Sequence, residues 1–494
     1  MANRHLYQSL EDGLPEENDG SVKKILKIFL FKLRGLRWIL AGVIFMILTT
    51  LLGFIMYKES SDVIVDPGLI VAYNGAVASE QIICSQFGVD VLREEGNAVD
   101  AAIASMICVG TINAFSAGIG GLPNGTSEVI DFRETAPGAA TKDMLAGNNK
   151  NNGLTIGIPG EVAGMRLAHE KYGKLPWKRL LEPSINISRN GFPVPPELGV
   201  RLELYRDVIM NNPQLAATYA PNGELLKEGQ ILYRTNYSIT LEKIANDYTD
   251  FYNGSIARSL IKTIKASGGI MTLEDLANYR PVLREPVVGY YHGRKDKTHK
   301  ADYYNPVYAE INDHGTTHLS TIGKDDMAVA FTSTINRIWG SNVMDPDTGI
   351  ILNDQLDDFS TPGVPDFYGM LPSPHNFIVP GKKPLSSTVP TIIEKDGKLE
   401  LTLGGSGGTK ILSAVLEVIL NIFDFDMNVL QAIQKSRVHQ QLKPEIAFME
   451  SGFSYELLND LLDIGHVIQI ANVKDRRFAC MVQAARKFEN GTIH

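Results

Sequence analysis

The chain has 494 residues, of which 44% are hydrophobic and 21% are charged, a composition typical of a folded protein with a large core. Its net charge of -9 and pI of about 5.7 give no reason to expect nucleic-acid binding, and the mild acidity is typical of a solvated surface. The length allows two or three average domains or one large α/β sandwich.

The first predicted element is an apolar helix over residues 38–57, a stretch that contains no charged residue. A helix of this length spans about 30 Å, the thickness of the hydrocarbon core of a bilayer. A buried core helix would seldom stay uncharged for so long, and the apolar region of a cleaved signal peptide is usually shorter. We therefore predict a transmembrane anchor.

The charges that flank this segment predict its orientation. Lys58 alone follows it closely, whereas several basic residues precede it: Lys23, Lys24, Lys27, Lys32, Arg34 and Arg37. The positive-inside rule places residues 1–37 in the cytosol and 58–494 outside the cell or in a lumen. Sequons for N-glycosylation agree with this topology: Asn124, Asn186, Asn236, Asn253 and Asn490.

The next predicted elements are two helices within residues 67–110. Ser79 is predicted to cap the first helix and Gly96 to end it. Its expected buried stripe is Ile82, Ile83, Phe87, Val91 and Leu92. The second helix is rich in alanine and suited to close packing. Cys84 and Cys108 fall on these two helices and could form a disulfide in an oxidising compartment, which would leave Cys480 free.

A glycine-rich turn over 116–121 and a short strand over 129–133 follow, and residues 160–290 have a mostly helical pattern. Residues 292–302 are polar and basic without periodicity, which predicts an exposed linker. Beyond Thr317 the alternation of polar and apolar residues predicts strands, including one at 349–352, and then helices at 411–424 and around 427–436. Strands with helices on their faces indicate layered α/β packing.

Candidate chemistry lies at residues 313–320, DHGTTHLS, where the strand region begins. If the chain were cut before Thr316, this residue would carry a hydroxyl nucleophile and an α-amine whose pKa of roughly 8 lets it act as the base. A preceding glycine leaves room for the hydroxyl to attack the Gly315 carbonyl. Gly-Thr pairs are common, so the dipeptide by itself is weak evidence.

The surrounding motifs resemble, in order, those of the γ-glutamyltransferase family, over about residues 67–485. The first half contains GNAVDAA (96–102), GIGG (118–121), RETAP (133–137), IPGE (158–161) and GIMTLEDL (269–276). The second half contains TSTIN (332–336), DDFS (357–360), PLSS (384–387) and GGSGGT (404–409). The resemblance implies an N-terminal nucleophile hydrolase, an α/β fold of four αββα layers. In this chain, the predicted transmembrane helix would precede that fold.

The same resemblance implies that the chain cuts itself between Gly315 and Thr316. The expected parts are a cytosolic tail (1–37), the anchor (38–57), a large subunit (58–315) and a small subunit (316–494). The implied substrates are glutathione and other γ-glutamyl compounds. The γ-glutamyl group passes to water, an amino acid or a dipeptide. The chain contains neither a clustered His/Cys ligand set nor a dinucleotide fingerprint, so no metal or organic cofactor is expected.

Residue roles carried over from the family fall on matching positions. Thr316 is the expected nucleophile, Thr334 supports it, and the Gly407 and Gly408 N–H groups are expected to hold the oxyanion. Arg133, Ser386 and Ser387 are expected to bind the substrate α-carboxylate. Asn336, Gln355 and Asp358 are expected to bind its ammonium group. Cys84 and Cys108 match a disulfide of animal members.

The sequence also departs from the family pattern. Gln355 stands where many members have Glu, His314 replaces a small residue, and a strand after Gly121 is absent. Between Tyr290 and Tyr303, moreover, the family has a strand, a proline-rich turn and a long helical stretch. Their loss would remove packing partners from buried neighbours. The chain is then either an inactive relative or the translation of incorrectly joined exons, and the sequence leaves both open.

Two other functions compete with this one. The first is another acylase of the same fold, for example one that cuts glutaryl β-lactams; Arg133 together with Asp358 argues against it, because a dicarboxylate acyl group has no ammonium. The second is a membrane glycoprotein that kept the fold and lost the site.

Overall fold

The computed structural model describes residues 69–116, 128–146, 152–291, 315–365, 371–471 and 480–494. The predicted tail (1–37), anchor (38–57) and linker (292–302) lie outside the described residues, as does most of the glycine-rich turn. Within the described ranges, no helix combines the length and the apolar character needed to cross a membrane.

Helices dominate residues 82–278, as the sequence predicts. The described helices of this part are α1 (Ile82–Arg93), α2 (Ala98–Ile112), α3 (Glu161–Tyr172), α4 (Trp177–Asn190), α5 (Pro196–Leu204), α6 (Arg206–Met210), α7 (Pro213–Tyr219), α8 (Thr235–Asn246), α9 (Asp250–Asn253), α10 (Ser255–Ala266) and α11 (Leu273–Asn278). Short strands interrupt them: β2 (Val129–Asp131), β3 (Phe192–Pro193), β4 (Ile231–Leu232) and β5 (Val282–Arg284).

The remaining strands are β1 (Gly75–Ser79), β6 (Gly315–Gly323), β7 (Ala328–Asn336), β8 (Thr391–Lys395), β9 (Lys398–Ser406), β10 (Val438–His439), β11 (Ala447–Glu450), β12 (Ile468–Ala471) and β13 (Met481–Arg486). Three more helices accompany them: α12 (Lys410–Phe423), α13 (Val429–Gln434) and α14 (Tyr455–Asp463).

Two antiparallel sheets form the centre of the fold. The first has the order β1-β6-β7 and the second the order β13-β9-β8. The sheets pack against each other mainly through β6 and β9, while α1 and α2 contact the first sheet and α12 and α13 contact the second. The described residues therefore form an α/β fold in which helices cover the outer face of each sheet, and β6 lies between a helix layer and a sheet.

The alanine-rich α2 is buried along its whole length, which small side chains permit because neighbouring elements can approach closely. Asn97 and Asp100 form a capping box at its N-terminus. The Asp100 carboxylate also accepts hydrogen bonds from the backbone of Lys174 and Leu175. Helix α2 is thereby tied to the chain before α4, and it gives β6 a rigid support.

Three local predictions were wrong. Ser79 ends strand β1 and does not cap α1, whose N-cap is Gln81. Ile82 and Ile83 are exposed, because Cys84, Gly88 and Val91 are the residues that α1 buries. Residues 349–352 form no regular strand and pair only through an isolated bridge between Met344 and Ile351.

Candidate active site

The predicted nucleophile lies at the beginning of β6, where Thr316 is opposite Thr334 on β7. The two hydroxyls are 3.0 Å apart, with Thr316 donating. The Thr334 hydroxyl donates in turn to the Gly315 carbonyl oxygen at 2.9 Å and accepts from the Asn336 N–H at 2.9 Å. Thr334 therefore contacts both atoms that would react in a cut at 315–316: the attacking hydroxyl directly, and the carbonyl through its oxygen.

The surroundings of residue 315 require a glycine at this position. The pairing register of β6 and β7 shifts between Gly315 and Thr316. This brings the backbone of Arg337 so close that a Cβ on residue 315 would lie 2.3 Å from its carbonyl oxygen. Real Cβ atoms do not approach a backbone oxygen so closely. Glycine at position 315 therefore allows β6 and β7 to pack closely, and it also leaves room for the Thr316 hydroxyl to reach the Gly315 carbonyl.

The predicted substrate clamp is assembled around Arg133, just after β2. Its Nη2 lies 2.5 Å from Asp358 Oδ2, and its Nε donates to the Pro384 carbonyl at 2.9 Å. The same guanidinium also donates to the Leu385 carbonyl. The structure thus joins Arg133 to Asp358 and to the segment that leads into Ser386, from parts of the sequence more than 200 residues apart.

The other predicted binding residues surround this pair. Gln355 donates its side-chain amide to Asp358 Oδ2 at 3.0 Å and is fully buried. Ser386 shares a 2.9 Å hydrogen bond with Thr388, and Ser387 is half-buried beside it. Asn336 is directed differently: it donates to the Asp354 carbonyl at 3.1 Å. Asn336 therefore belongs to the Thr334 network, and the residue that accepts its hydrogen bond, Asp354, directly precedes Gln355.

The predicted oxyanion residues lie between β9 and α12. Gly407 and Gly408 have φ angles of 128° and 68°, a region that residues with a Cβ rarely occupy. Helix α12 begins two residues later, at Lys410. Backbone N–H groups in such a turn before a helix can point at a negative charge. Glycine is therefore needed here for backbone shape.

One large cavity joins several of these residues. It has a volume of about 2350 Å³, and its walls include Arg133, Thr334 and Ser386 together with β8 and residues 286–291. Typical small-molecule pockets measure about 300–1,000 Å³. The cavity is thus far larger than an amino-acid substrate needs, and it extends along the chain that precedes the shortened segment.

Two acids on the cavity wall were not predicted from the sequence. Burial raises the pKa of Glu134 to about 7 and the pKa of Glu161 well above its usual range. Ser333 donates to Glu161 Oε1 at 2.6 Å. Both acids stand inside motifs that match the family, next to Arg133 and at the end of IPGE. Their place in these motifs was the signal in the sequence that could have identified them. Their spacing along the chain does not show that the fold brings them together.

His318, two residues after Thr316 on the same strand face, was also missed. Its ring is fully buried, with Nδ1 2.8 Å from the Thr332 hydroxyl and Nε2 3.1 Å from the Ser320 hydroxyl. Burial lowers the pKa of His318 to about 3. The neutral ring lies against Gly404 of β9, where a Cβ would come within 2.4 Å of it. It therefore joins the two sheets near the predicted nucleophile.

Cys84 and Cys108 are joined in a disulfide, with Cα atoms 5.3 Å apart, and Cys480 is free and buried. The bond links α1 to α2. Among the residues that the structure describes, no group of three or more His, Cys, Asp or Glu side chains could hold a metal ion.

Known proteins resemble the chain over most of its length. The family model for gamma-glutamyltranspeptidase matches residues 84–295 and 293–493. Glutathione hydrolase proenzyme 1 of Schizosaccharomyces pombe is 36% identical, over 81% of this chain and 80% of that protein. Scoloptoxin SSD14 of Scolopendra dehaani is 35% identical, over 93% of this chain and 96% of that protein.

The second alignment covers 563 positions, more than the 494 residues of this chain. That relative therefore has residues where this chain has none. The two family matches meet at 293–295, which is where the sequence predicts a missing segment. Among solved structures, a cephalosporin acylase from Bacillus halodurans superposes with a TM-score of 0.75 at 22% identity, over 86% of this chain and 94% of that one. This likeness concerns the fold.

Proposed function

The chain belongs to the gamma-glutamyltranspeptidase family, and we propose that it is an enzyme that removes the γ-glutamyl group from glutathione and related amides. The group passes to water or to the amine of an amino acid or dipeptide. The observation that carries this proposal is the position of Thr334, whose hydroxyl bonds both the Thr316 hydroxyl and the Gly315 carbonyl oxygen.

Self-cleavage comes first. The Thr316 hydroxyl oxygen attacks the Gly315 carbonyl carbon and loses its proton, while the Thr334 hydrogen bond to the carbonyl oxygen stabilises the charge that develops there. The C–N bond breaks, its nitrogen takes up a proton to become a free amine, and an ester forms. Water then hydrolyses the ester. Residues 1–315 end in a carboxylate, and residue 316 begins the small subunit with both a hydroxyl and an amine.

Turnover repeats this chemistry on the substrate. The α-amine, with a pKa of roughly 8, accepts the proton of the Thr316 hydroxyl as the oxygen attacks the γ-carbonyl carbon. The Gly407 and Gly408 N–H groups are proposed to hold the oxyanion. The amide nitrogen leaves with a proton, and the γ-glutamyl ester remains on Thr316. Water or an acceptor amine then attacks that ester and regenerates the hydroxyl.

Substrate binding is proposed to use the charges at Arg133 and Asp358. An α-carboxylate would bond the guanidinium as a fork, with Ser386 and Ser387 beside it. An α-ammonium would bond Asp358 and the neutral Gln355. A free glutamyl end carries both groups, whereas a glutaryl group carries only the carboxylate. The clamp therefore favours γ-glutamyl amides over the glutaryl amides of the acylase alternative.

The arrangement in the membrane is a separate proposal. Residues 38–57 would anchor the protein as a single-pass type II membrane protein, with the catalytic part outside the cell or in a vacuole. The charge asymmetry supports this. The sequon residues Asn186, Asn236, Asn253 and Asn490 are exposed. Treatment with glycosidase should lower the mass of the 58–494 part; protease-accessible residues 1–37 on intact cells would reverse the orientation.

The central test is a denaturing gel of the purified protein with N-terminal sequencing of the smaller band. Two bands are expected, with the smaller beginning at Thr316. Thr316→Ala should give one uncut, inactive chain. Thr334→Ala should slow cleavage by about 100-fold, the usual effect of removing one hydrogen-bond donor to a developing oxyanion, and Thr334→Ser should restore it. As a control, Thr391→Ala removes a hydroxyl of β8 that bonds the Val389 carbonyl, so it should leave cleavage normal. A small chain that starts elsewhere would refute the assignment.

A further inference from the structure

Glu80 lies in the connection between β1 and α1 and is partly buried. Its Oε1 accepts a hydrogen bond from the Ser406 hydroxyl at 3.0 Å. Its Oε2 accepts one from the side-chain amide of Asn113, at the C-cap of α2, at 3.3 Å. Nothing in the sequence singled out this residue, since a Glu before a helix is ordinarily a solvated N-terminal charge.

The position of Glu80 relates it to two parts of the proposed machinery. Ser406 is the last residue of β9 and directly precedes Gly407 and Gly408. Glu80 directly follows Ser79, which pairs with Leu319 on β6, the strand that would carry the nucleophile. Glu80 thus follows a strand that pairs with the nucleophile strand, and it bonds the residue before the turn whose N–H groups would hold the oxyanion.

This environment is an unusual one for a carboxyl. Burial raises the pKa of Glu80 to about 7, against the hydrogen bonds of Ser406 and Asn113 and the charge of Arg201 on α5. Burying an acid is unfavourable unless its oxygens are well bonded. The acid is held here by hydrogen bonds from Ser406 at the end of β9 and from Asn113 at the C-cap of α2, which are separate parts of the fold.

We propose that Glu80 is a positioning residue that fixes the Gly407–Gly408 turn against the nucleophile strand by way of the Ser406 hydroxyl. The expected effect of Glu80 on the reaction rate rests on the proposed function, whereas its effect on the conformation of the turn rests only on the hydrogen bonds described above. The turn has two glycines in succession, which have the most conformational freedom of any residue. Without a fixed Ser406, the Gly407 and Gly408 N–H groups would not keep one orientation. Oxyanion stabilisation depends on hydrogen-bond donors that are oriented before the reaction.

Two kinds of measurement test this. The first needs no activity: hydrogen–deuterium exchange of the uncut Thr316→Ala protein with and without Glu80→Ala. Exchange should become faster in peptides that cover residues 404–411 and stay the same in peptides from α10. Unchanged exchange over 404–411 would overturn the proposal even if the chain proved inactive. Should Glu80→Ala fail to fold, Glu80→Gln has the same size and retains one acceptor.

The second measurement uses the cleaved enzyme, with rates expressed per active site. Glu80→Ala should lower kcat for a γ-glutamyl anilide between about 10-fold and 100-fold and leave KM within about 3-fold, because the clamp at Arg133 is untouched. Glu80 and Ser406 act through one contact, so the Glu80→Ala, Ser406→Ala double variant should lose no more than the worse single variant. The control is Gln81→Ala, since Gln81 bonds Asn113 but not Ser406, and its kcat should stay normal.

The outcomes separate the two ideas. A wild-type protein that neither cleaves nor turns over γ-glutamyl substrates contradicts the proposed function, and the exchange experiment then decides about Glu80. An active wild type whose Glu80→Ala variant has an unchanged kcat contradicts the role of Glu80 alone. Losses that add in the double variant would also contradict it, because they would mean that Glu80 does not act through Ser406.

Discussion

Arg133 and Asp358 are bound to each other across the sequence, 2.5 Å apart, with side-chain exposures of 11% and 3%. Gln355 donates to the same carboxylate oxygen. A substrate that carries a carboxylate and an ammonium would supply each residue with a new opposite charge, so neither would be left buried without a counter-charge. An acyl group with a carboxylate alone would offer Asp358 no such replacement, which is unfavourable for a buried charge.

This relationship predicts specific losses of activity. Arg133→Lys should lower kcat/KM for γ-glutamyl anilide by about 100-fold or more, because a fork of hydrogen bonds becomes a point contact. Asp358→Asn should do likewise through the ammonium group. Arg166→Lys is the matched control, since Arg166 pairs with Glu170 at a partly exposed site away from the clamp. Equal wild-type activity toward glutaryl and γ-glutamyl amides would count against the clamp and favour the acylase alternative.

A second prediction concerns Gly315, whose added Cβ would meet the Arg337 carbonyl oxygen. Gly315→Ala should push β6 away from β7, lower the free energy of unfolding by about 1–3 kcal/mol and prevent cleavage, as followed by urea unfolding and by gel. Gly289→Ala is the control, because a Cβ there meets nothing within 4 Å. If Gly315→Ala cleaved at the normal rate, the close approach of Arg337 would not govern the geometry of the cut.

A third prediction concerns pH and His318. The buried ring has a pKa of about 3, whereas in the unfolded chain it is about 6.5. Between these values the unfolded state binds more protons, so the stability that the neutral ring contributes is full above pH 6.5 and is lost as the pH falls. From pH 7 to pH 4.5 the loss should be about 2–3 kcal/mol.

The test compares urea unfolding of the uncut Thr316→Ala protein with and without His318→Asn at the two pH values. The His318→Asn variant is expected to be less stable at pH 7 because packing is lost. The quantity to compare is therefore the change in the free energy of unfolding between the two pH values. Glu80 and Glu134 have raised pKa values and act in the opposite sense, and they do so in both proteins. Equal pH dependence in the two would mean that the ring is not held neutral.

The last prediction concerns the shortened segment. Val287, Val288 and Tyr290 are exposed at the edge of the large cavity, next to the point where the two family matches meet. Inserting the corresponding segment of the Schizosaccharomyces pombe relative should bury them and stabilise the protein, by about 1.5–3 kcal/mol for each apolar side chain that becomes fully buried. Cleavage should also become faster, because packed neighbours hold the reacting atoms in place. Equal cleavage and turnover in the two proteins would show that the fold tolerates the loss.

Much of the fold could be predicted because its signals are local. Alanine-rich spacing predicted α2, apolar–polar alternation predicted β6, β7 and β9, and Gly-Thr together with the surrounding motifs indicated Thr316. Local predictions failed where tertiary contacts decide the outcome. Ser79 is a good N-cap residue in isolation, yet it ends β1 because residues 75–79 pair with β6. Ile82 is apolar but exposed, since the disulfide and Val91 orient α1 with another face inward.

The sequence alone therefore determined the residue types, the order of the motifs, the apolar span at 38–57 and the chemistry that a threonine could perform after a cut. The tertiary structure decided which of these residues meet. It joined Arg133 to Asp358 and placed Thr334 between the Thr316 hydroxyl and the Gly315 carbonyl oxygen. It also bonded Glu80, which follows the strand β1 that pairs with β6, to Ser406 just before the Gly407–Gly408 turn. Periodicity and propensity describe the neighbours of a residue along the chain, whereas hydrogen bonds across sheets and the pKa of a buried acid depend on groups that only packing brings together.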